Sequence, residues 1–576
     1  MTKLKLKVAV LLVLVLASPV LFILPHSGSA SKSPLEVKSF KSYKELVDYL
    51  NSTKVRFKAP VAGIYFYIQA MGLEAGPPDR NVAYSTTNVQ VPGVDEADLV
   101  KTDGSYLYVA SQGHVYIVKA YPPEEAAVIA EVEVNSSIYG LFLLEDRLIV
   151  VTETWPIYIF EGGMGGAIPI FPYYVNTTIW IYSISNPEQP VLLRSIEVTG
   201  RCDALRLKDH YIYAVISYPA YTDPVLLPLV DGVPVEATEV KYFEEDDSYV
   251  YTIILAVDVE TCEYTREVFL IDRNSYVYVS LDNLYLLCVK RILRPLETRV
   301  LEEYLAPITY SREKTVIYRF SLNGLEVSVA ARWEVSGVVL DQFSMDEHGG
   351  YFRVATTEHR WSALNADERV NNVYVLDMDL NVVGSLEGLA PTESVYAARY
   401  LGDLLFLVTF RVVDPLFAID LSDPSRPRVL GFLELPGYSE YLHPLGEGWL
   451  MGVGMDADVN GRVDGVKVAL FNVSDPSSIE EACSIKFNAT WSPIFGDHKA
   501  FTFNPYLSYM AIPTRGVDDG VYVVQVEEGS LLLRGFINHE GALRTLYIDG
   551  YVYTVSSTMV KIVDLNLQPV GQVMLS

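Results

Sequence analysis

The sequence predicts an all-β protein, a β-propeller of eight or nine four-stranded blades with a short helical segment before it. Three observations carry this prediction. The chain contains 40 Tyr, and Tyr, Val and Ile favour strands over helices. A pattern of four short strands recurs about nine times between residue 95 and the C-terminus, as in propeller repeats. Turns that contain Gly, Asp or Asn separate these strands.

The second strand of each unit gives the clearest alignment of the repeat. One unit of this kind cannot bury both of its faces, so the units must stack against one another. Closure of the stack into a ring also removes exposed sheet edges. The stretches 155–175, 218–248 and 293–313 are longer than the repeat requires and are predicted insertions. The aligned second strands begin at Tyr106, Leu148, Tyr211, Leu284, Tyr351, Leu404, Trp449, Tyr509 and Tyr551.

The composition excludes several classes of protein. An apolar fraction of 50% is too high for a disordered chain. The chain has 72 Asp and Glu against 44 Lys and Arg, a formal charge of -28, which argues against binding to nucleic acid or to an anionic membrane surface. Four Cys cannot hold a chain of 576 residues together. A hydrophobic core must therefore do so.

Residues 1–30 have the layout of an export signal. Three Lys lie within the first seven residues, an apolar run follows at 8–25, and small residues occupy 27–30. The apolar run is just long enough to span a bilayer, so both a cleaved signal peptide and a retained N-terminal membrane anchor remain open. In either case residues 31–576 face the exterior. We expect a protein that is secreted or attached to the outer face of the cytoplasmic membrane.

Residues 31–85 are predicted to form a short helix and a linker or loose cap. A capping box at 42–45 precedes apolar residues at helical spacing. Residues 52–85 contain scattered Gly and Pro without a sustained period. The propeller is assigned to residues 86–576.

Several long motifs resemble a known family. The stretch from Tyr84 to Gly104 is similar to the opening signature of a family of secreted archaeal and bacterial proteins with a C-terminal β-propeller distantly related to WD40 repeats. The resemblance extends over roughly residues 40–576. It implies export and a propeller fold, and it implies no established activity. Further matching stretches are Phe343–Thr357, Val413–Pro424, Tyr441–Pro444, Asp456–Asp458 with Gly461, and Asp497–Phe501.

The strongest local motif predicts a calcium loop. Alternating oxygen ligands on a tightly curved loop can converge on one hard cation, and the motif has the spacing D-x-D-x-N-G. The Glu that normally closes such a site is absent, because Lys467 stands in its place. The alternative is an acidic hairpin with Asx turns. The predicted Ca²⁺ ligands are Asp456, Asp458, Asn460, the carbonyl of Arg462 and Asp464.

A second candidate site consists of three histidines, His348, His443 and His498. Each lies near a predicted first strand, and first strands line the channel of a propeller. Histidines and carboxylates from different blades could converge there on a transition metal. Alternatively, these histidines are buried, hydrogen-bonded groups that fix the packing between blades. The nearby polar residues are Asp95, Glu96, Asp98, Asp346, Glu347, Asp497 and Arg544.

Two hypotheses of function follow. The first is a binding or scaffold module of the cell exterior, which recognises an unknown protein or glycan and is stabilised by calcium. The second is an exported metal-dependent enzyme, a hydrolase or oxidoreductase, with a His and Asp site in the channel. The common nucleophile, zincin and P-loop motifs are absent from the sequence, so no residue is assigned as catalytic. Pairing of Cys202, Cys262, Cys288 and Cys483 is left open.

Overall fold

The computed structural model describes most of the chain. The described residues are 35–54, 83–154, 175–220, 224–246, 248–295, 309–360, 368–410, 414–446, 448–458, 462–527 and 529–575. The predicted signal or anchor at 1–30, most of the predicted linker and part of the calcium loop lie outside these ranges.

The described strands form nine sheets that follow one another along the chain, and we number them as blades 1 to 9. Three elements precede them: β1 (Val37–Ser39), α1 (Tyr43–Lys54) and β2 (Val94–Glu96). Blade 1 contains β3 (Val100–Thr102), β4 (Tyr106–Ser111), β5 (His114–Lys119) and β6 (Ala127–Glu133). Blade 2 contains β7 (Ser137–Leu144), β8 (Arg147–Thr154), β9 (Asn176–Ser183) and β10 (Val191–Thr199).

Blade 3 carries an insertion with strands of its own. Its elements are β11 (Arg201–Lys208), β12 (Tyr211–Pro219), β15 (Val240–Phe243), β16 (Val250–Asp258) and β17 (Tyr264–Leu270). Two further strands of the insertion, β13 (Leu229–Val230) and β14 (Val233–Pro234), pair with β10 and extend the sheet of blade 2. Blade 4 contains β18 (Asn274–Val279), β19 (Asn283–Pro295), β20 (Thr309–Asn323) and β21 (Glu326–Ser336). Blade 5 contains β22 (Met345–His348), β23 (Tyr351–Arg360), β24 (Glu368–Asp377) and β25 (Val382–Leu389).

The remaining four blades are regular. Blade 6 contains β26 (Ser394–Leu401), β27 (Leu404–Phe410), β28 (Asp414–Asp420) and β29 (Arg428–Leu435). Blade 7 contains β30 (Tyr438–Gly446), β31 (Trp449–Ala457), β32 (Val463–Asn472) and β33 (Glu480–Phe487). Blade 8 contains β34 (Thr502–Asn504), β35 (Tyr509–Thr514), β36 (Gly520–Glu527) and β37 (Ser530–Asn538). Blade 9 contains β38 (Arg544–Ile548), β39 (Tyr551–Val555), β40 (Met559–Asp564) and β41 (Pro569–Met574).

Hydrophobic packing closes the nine blades into a ring. Within the described residues, each of nine apolar clusters draws its side chains mainly from two consecutive blades. One cluster joins blade 9 to blade 1, with Tyr553 and Ile562 packed beside Leu107 and Val109. The predicted all-β propeller of four-stranded blades is therefore confirmed. The stability of the ring comes from these shared cores, because burial of apolar area is the main favourable term.

The strands run in the same way in every blade, which gives the ring two distinct faces. The first strand of each blade is innermost, and its start lies beside the end of the second strand. We call the face where the first strands begin the loop face, and the opposite face the turn face. The connections between second and third strands emerge on the loop face. In sequence, the insertions predicted at 155–175, 218–248 and 293–313 fall between the second and third strands of blades 2, 3 and 4, and most of the first and third lies outside the described residues.

The N-terminal helix packs on blade 3. Helix α1 begins after Ser42, whose Oγ accepts a hydrogen bond from the Glu45 amide at 3.2 Å, as in the predicted capping box. Leu46 and Leu50 are buried in the apolar cluster shared by blades 2 and 3. Strand β1 pairs with insertion strand β15. The helix thus extends the outer side of blade 3.

Candidate functional site

Residues 83–98 cross the central channel, and we call them the channel segment. Tyr84 forms a β-bridge with Ile548 on the first strand of blade 9. Strand β2 then pairs with β11 of blade 3, where Glu96 lies opposite Arg206. Asp98 bridges to Leu141 on blade 2. The repeat was predicted to begin at residue 95, which is wrong, because Asp95 and Glu96 lie on β2, which pairs with β11 of blade 3 before blade 1 begins.

The middle of the channel segment is held by side-chain hydrogen bonds. Asn88 Nδ2 donates to the Tyr441 hydroxyl at 3.0 Å and to the His498 carbonyl at 3.2 Å. Gln90 Nε2 donates to the Gln342 carbonyl at 2.6 Å. These partners belong to blades 7 and 8 and to the connection into blade 5. The segment therefore ties distant parts of the ring to one another.

A close approach of two backbones makes this crossing possible. Gly140 of β7 faces the channel segment, and a Cβ at this position would lie 2.8 Å from the Cβ of Ala97. Any larger residue would push the segment away from blade 2.

Ion pairs fix the end of the channel segment. Arg544 of blade 9 donates through Nε to Asp98 at 2.6 Å and through Nη2 to Asp497. Lys101 binds Asp95 at 2.7 Å. Burial pushes the pKa of Asp497 upwards, but Arg544 and Lys499 outweigh it and hold that pKa below its usual range. The charges thus compensate one another between blades 9 and 1, the channel segment and the connection into blade 8.

Cavities open on both sides of this network. On the loop face a cavity of about 660 Å³ lies between blades 9, 1 and 2. On the turn face a cavity of about 940 Å³ is lined by the channel segment and by turns of blades 1 to 3. Arg544 lines both cavities. The ion-pair network thus forms the floor between them.

The loop face is uneven in height. The second strands of blades 2 to 7 contain 8, 9, 13, 10, 7 and 9 residues. Those of blades 8, 9 and 1 contain only 6, 5 and 6 residues. The 660 Å³ cavity lies in this low sector. Its lining is rich in hydroxyl groups, namely those of Ser111, Ser136, Ser137, Ser556 and Ser557.

Five first strands carry a β-bulge at the same level, near the loop face. The irregularity skips one residue in the pairing of each strand. A bulge leaves its extra residue unpaired and redirects the side chain, and such features are common next to functional sites. The extra residues are Tyr139, Asp203, Ser275, Tyr396 and Glu440. Burial raises the pKa of Asp203, and it raises the pKa of Glu440 to about 7.

The structure does not bring the three predicted histidines to one metal site. His348 is 48% exposed, and its Nε2 lies 3.5 Å from Asp403 Oδ1. His443 and His498 are buried. His443 Nδ1 shares a hydrogen bond with the Tyr441 hydroxyl at 3.0 Å, and His498 Nε2 is 2.8 Å from the Asn88 carbonyl.

The surroundings of the two buried histidines are those of packing groups. The ring of His443 lies 4.7 Å from that of Phe501, in the connection that leads into blade 8. Burial, with a smaller contribution from Arg399, lowers the pKa of His443 to about 3. Within the described ranges, no three His, Cys, Asp or Glu side chains are arranged to hold a metal ion. Both residues therefore fit the alternative to a metal site, in which buried, hydrogen-bonded histidines fix the packing between blades.

The predicted calcium loop lies between the second and third strands of blade 7. Asn460 and Gly461 fall outside the described residues. Asp458 Oδ1 accepts a hydrogen bond from the Arg462 amide at 2.9 Å, which is an Asx-type turn. Lys486 Nζ lies 2.7 Å from Asp464 Oδ2 and 3.3 Å from Asp456 Oδ2. A basic side chain thus bridges two of the predicted ligands, and calcium binding stays a prediction.

Sequence reasoning missed an aromatic cluster on the loop face of blades 6 and 7. Tyr396, Phe410 and Tyr438 lie with ring centroids 4.6 to 5.3 Å apart. These residues are distant in the sequence, and no spacing rule joins them. The high Tyr content was the one related signal in the sequence, and the strand propensity of Tyr already accounted for it, so it did not indicate a surface cluster.

Two further observations concern the cysteines and the described helices. All four cysteines are free, so the described residues contain no disulfide. Among the residues that the structure describes, no helix has both the length and the apolar character needed to cross a bilayer.

Comparisons with known proteins agree with this geometry. A family model described as "Beta propeller domain" matches residues 84–567. An uncharacterized protein from Methanocaldococcus jannaschii is 29% identical over 561 residues, covering 84% of this chain and 82% of that protein. An uncharacterized protein from Archaeoglobus fulgidus is 28% identical over 546 residues, covering 84% of this chain and 83% of its own.

Solved structures give a weaker likeness. A putative 6-phosphogluconolactonase from Bacteroides fragilis has a TM-score of 0.32 and 12% identity, over 57% of this chain and 94% of that one. A periplasmic gluconolactonase of Pseudomonas aeruginosa has a TM-score of 0.31 and 13% identity, over 56% and 91%. At these values the activity named for those proteins has no bearing on this chain.

Proposed function

Because the chain belongs to the Beta propeller domain family, we propose that it is an exported binding module of the cell exterior that takes its ligand on the loop face of the ring. The single observation that carries this proposal is the 660 Å³ cavity in the low sector of that face. Ligand pockets are concave, of about 300–1,000 Å³, and contain a few convergent polar groups. Five serines in the lining supply such groups here.

The shape of the loop face supports the same proposal. The second strands of blades 2 to 7 are longer than those of blades 8, 9 and 1, so the ring is lower in that sector. Binding residues are often placed on loops and strand ends that a rigid scaffold holds in position. Five first strands also carry a β-bulge at one level near this face. A protein or glycan that enters over the low sector would meet the cavity first.

The floor of the channel favours binding over metal chemistry. Arg544, Asp98 and Asp497 satisfy one another. The two buried histidines are engaged with Asn88 and Tyr441. The alternative of a metal-dependent enzyme therefore has no ligand set among the described residues.

The test is to fill the cavity. Purified protein is screened against arrays of peptides and of glycans, and the binding constant of each hit is measured for the Ser137→Trp variant. Ser137 lines the cavity, and an indole there would occupy it. We expect a loss of at least tenfold in affinity. Ser328→Trp is the matched control, because Ser328 is exposed on the outer strand of blade 4. Equal affinity in both variants would reject the cavity as the binding site.

The proposed location has its own test. If residues 1–30 are a cleaved signal, N-terminal sequencing of the protein from its native source should begin at Ser31. If they are a retained anchor, the intact chain should sediment with membranes and remain accessible to protease added outside the cell. A chain found in the cytoplasm with Met1 intact would contradict export.

A further inference from the structure

The aromatic cluster of blades 6 and 7 lies at the ends of strands on the loop face. Tyr396 is the bulged residue of β26, Phe410 ends β27, and Tyr438 begins β30. The rings of Tyr396 and Phe410 are 5.3 Å apart at 77°, and those of Tyr396 and Tyr438 are 5.2 Å apart at 65°. Tyr396 is 37% exposed. We call these three residues the aromatic platform.

A carboxyl group stands beside the platform. Glu440 is the bulged residue of β30, two positions after Tyr438, and it accepts a hydrogen bond from the Tyr438 hydroxyl. It is partly buried, and burial raises the pKa of its carboxyl to about 7, although the hydrogen bond from Tyr438 acts in the opposite direction. The site therefore combines apolar ring faces with a hydroxyl and a carboxyl at fixed positions on strands.

We propose that the aromatic platform, with Glu440, binds one sugar ring of a neutral oligosaccharide, an inference that rests on the proposed binding function of the loop face. A hexopyranose has C–H groups on its faces and hydroxyls around its edge. The negative face of an aromatic ring attracts such C–H groups. The carboxyl oxygens of Glu440 accept hydrogen bonds from the sugar hydroxyls, and the Tyr438 hydroxyl can donate one or accept one.

Size and charge select the ligand class. A stable protein–protein interface buries roughly 800 Å² on each partner, far more than three clustered rings can present when Phe410 and Tyr438 are only partly exposed. The formal charge of the chain is -28, and the platform carries a carboxyl group. An anionic glycan would be repelled. A neutral chain of hexopyranose units is the occupant that meets both conditions.

The experiment measures affinity for four defined probes by isothermal titration: cellohexaose, mannohexaose, N-acetylchitohexaose and hexagalacturonate. At least one neutral hexasaccharide should bind, and hexagalacturonate should not. Tyr396→Ala should weaken the neutral probe by about tenfold or more, while Tyr396→Phe keeps the ring and should stay within threefold. Glu440→Gln, which keeps one acceptor oxygen, should weaken it less than Tyr396→Ala. Tyr506→Ala is the control, because Tyr506 is 61% exposed in a turn on the opposite face.

The outcomes separate this inference from the proposal on which it rests. If a neutral hexasaccharide binds and is lost in Ser137→Trp but not in Tyr396→Ala, the cavity is the site and the platform inference is overturned. If a peptide hit from the array depends on Tyr396 and no hexasaccharide binds at millimolar concentration, the platform recognises protein and the sugar assignment is wrong. Equal binding of hexagalacturonate and the neutral probes would also overturn it.

Discussion

The channel segment and the acidic loop of blade 7 use the same residue types in opposite environments. Asp98 and Arg544 are 6% and 5% exposed, whereas Asp464 and Lys486 are 78% and 43% exposed. In the channel Arg544 of blade 9 joins Asp98 of the channel segment to Asp497 of the connection into blade 8. In the loop the partners are solvated and belong to a single blade. A motif of carboxylates therefore does not by itself predict a structural role, because burial decides whether its charges stabilise the fold.

The largest expected effect comes from removing Arg544. Arg544→Met leaves the buried Asp98 without its counter-charge, which costs about 3–5 kcal/mol for a broken buried pair, whereas Asp497 is 30% exposed and keeps its ion pair with Lys499. Arg428→Met removes an exposed pair with Asp420, and such pairs contribute about 0–1 kcal/mol. Urea unfolding measures both. If the two variants lose equal stability, the contrast between buried and exposed charges fails.

A double variant keeps this prediction testable when Arg544→Met does not fold. Asp98→Asn combined with Arg544→Met removes the carboxylate that the single variant leaves buried without a counter-charge. It should recover part of the lost stability, since the cost lies in that unpaired carboxylate rather than in the missing attraction. A double variant that is less stable than Arg544→Met would contradict this account.

The next effect concerns the backbone contact that admits the channel segment. Gly140→Ala places a methyl group against Ala97 and should cost about 1–3 kcal/mol, as overpacking does. Gly550→Ala is the matched control, because its Cβ would meet only the Leu565 side chain at 3.8 Å. Ala97→Gly in the Gly140→Ala background should restore part of the loss. No recovery would mean that the strain arises elsewhere on blade 2.

The fold was largely predictable, and the reason is local. Each second strand aligned in the sequence begins within one residue of its observed start, from β4 at Tyr106 to β39 at Tyr551, because strand propensity and turn residues act over short distances. The channel segment was not predictable. Asp95 precedes blade 1 in sequence but pairs with Leu207 of blade 3, and no local pattern encodes a pairing across a ring. The aromatic platform escaped prediction for the same reason.

The contrast between buried and exposed groups also predicts how the stability of the protein depends on pH, through the buried His443 and the exposed His348. The folded-state pKa of His443 is about 3, against about 6.5 in an unfolded chain. Protonation of His443 therefore favours unfolding. The stability that the neutral His443 ring provides is complete above pH 6.5 and is lost as the pH falls towards 3. The loss is about 1.4 kcal/mol per pH unit. His443→Gln should flatten the slope of unfolding free energy between pH 6.5 and 4, and the exposed His348→Gln should not. Identical slopes in the two variants would refute this.

The smallest effect belongs to the exposed acidic loop, and it is visible only with calcium. Lys486 bridges Asp456 and Asp464 in solvent, so Lys486→Ala should leave the melting temperature in EDTA unchanged. If the loop binds calcium, removing the competing ammonium should enlarge the rise in melting temperature that calcium causes. Asp456→Ala with Asp458→Ala should abolish that rise. An identical calcium response in all three proteins would place the ion elsewhere. The loop would then be an acidic turn that is held by Lys486 and by the hydrogen bond from the Arg462 amide to Asp458.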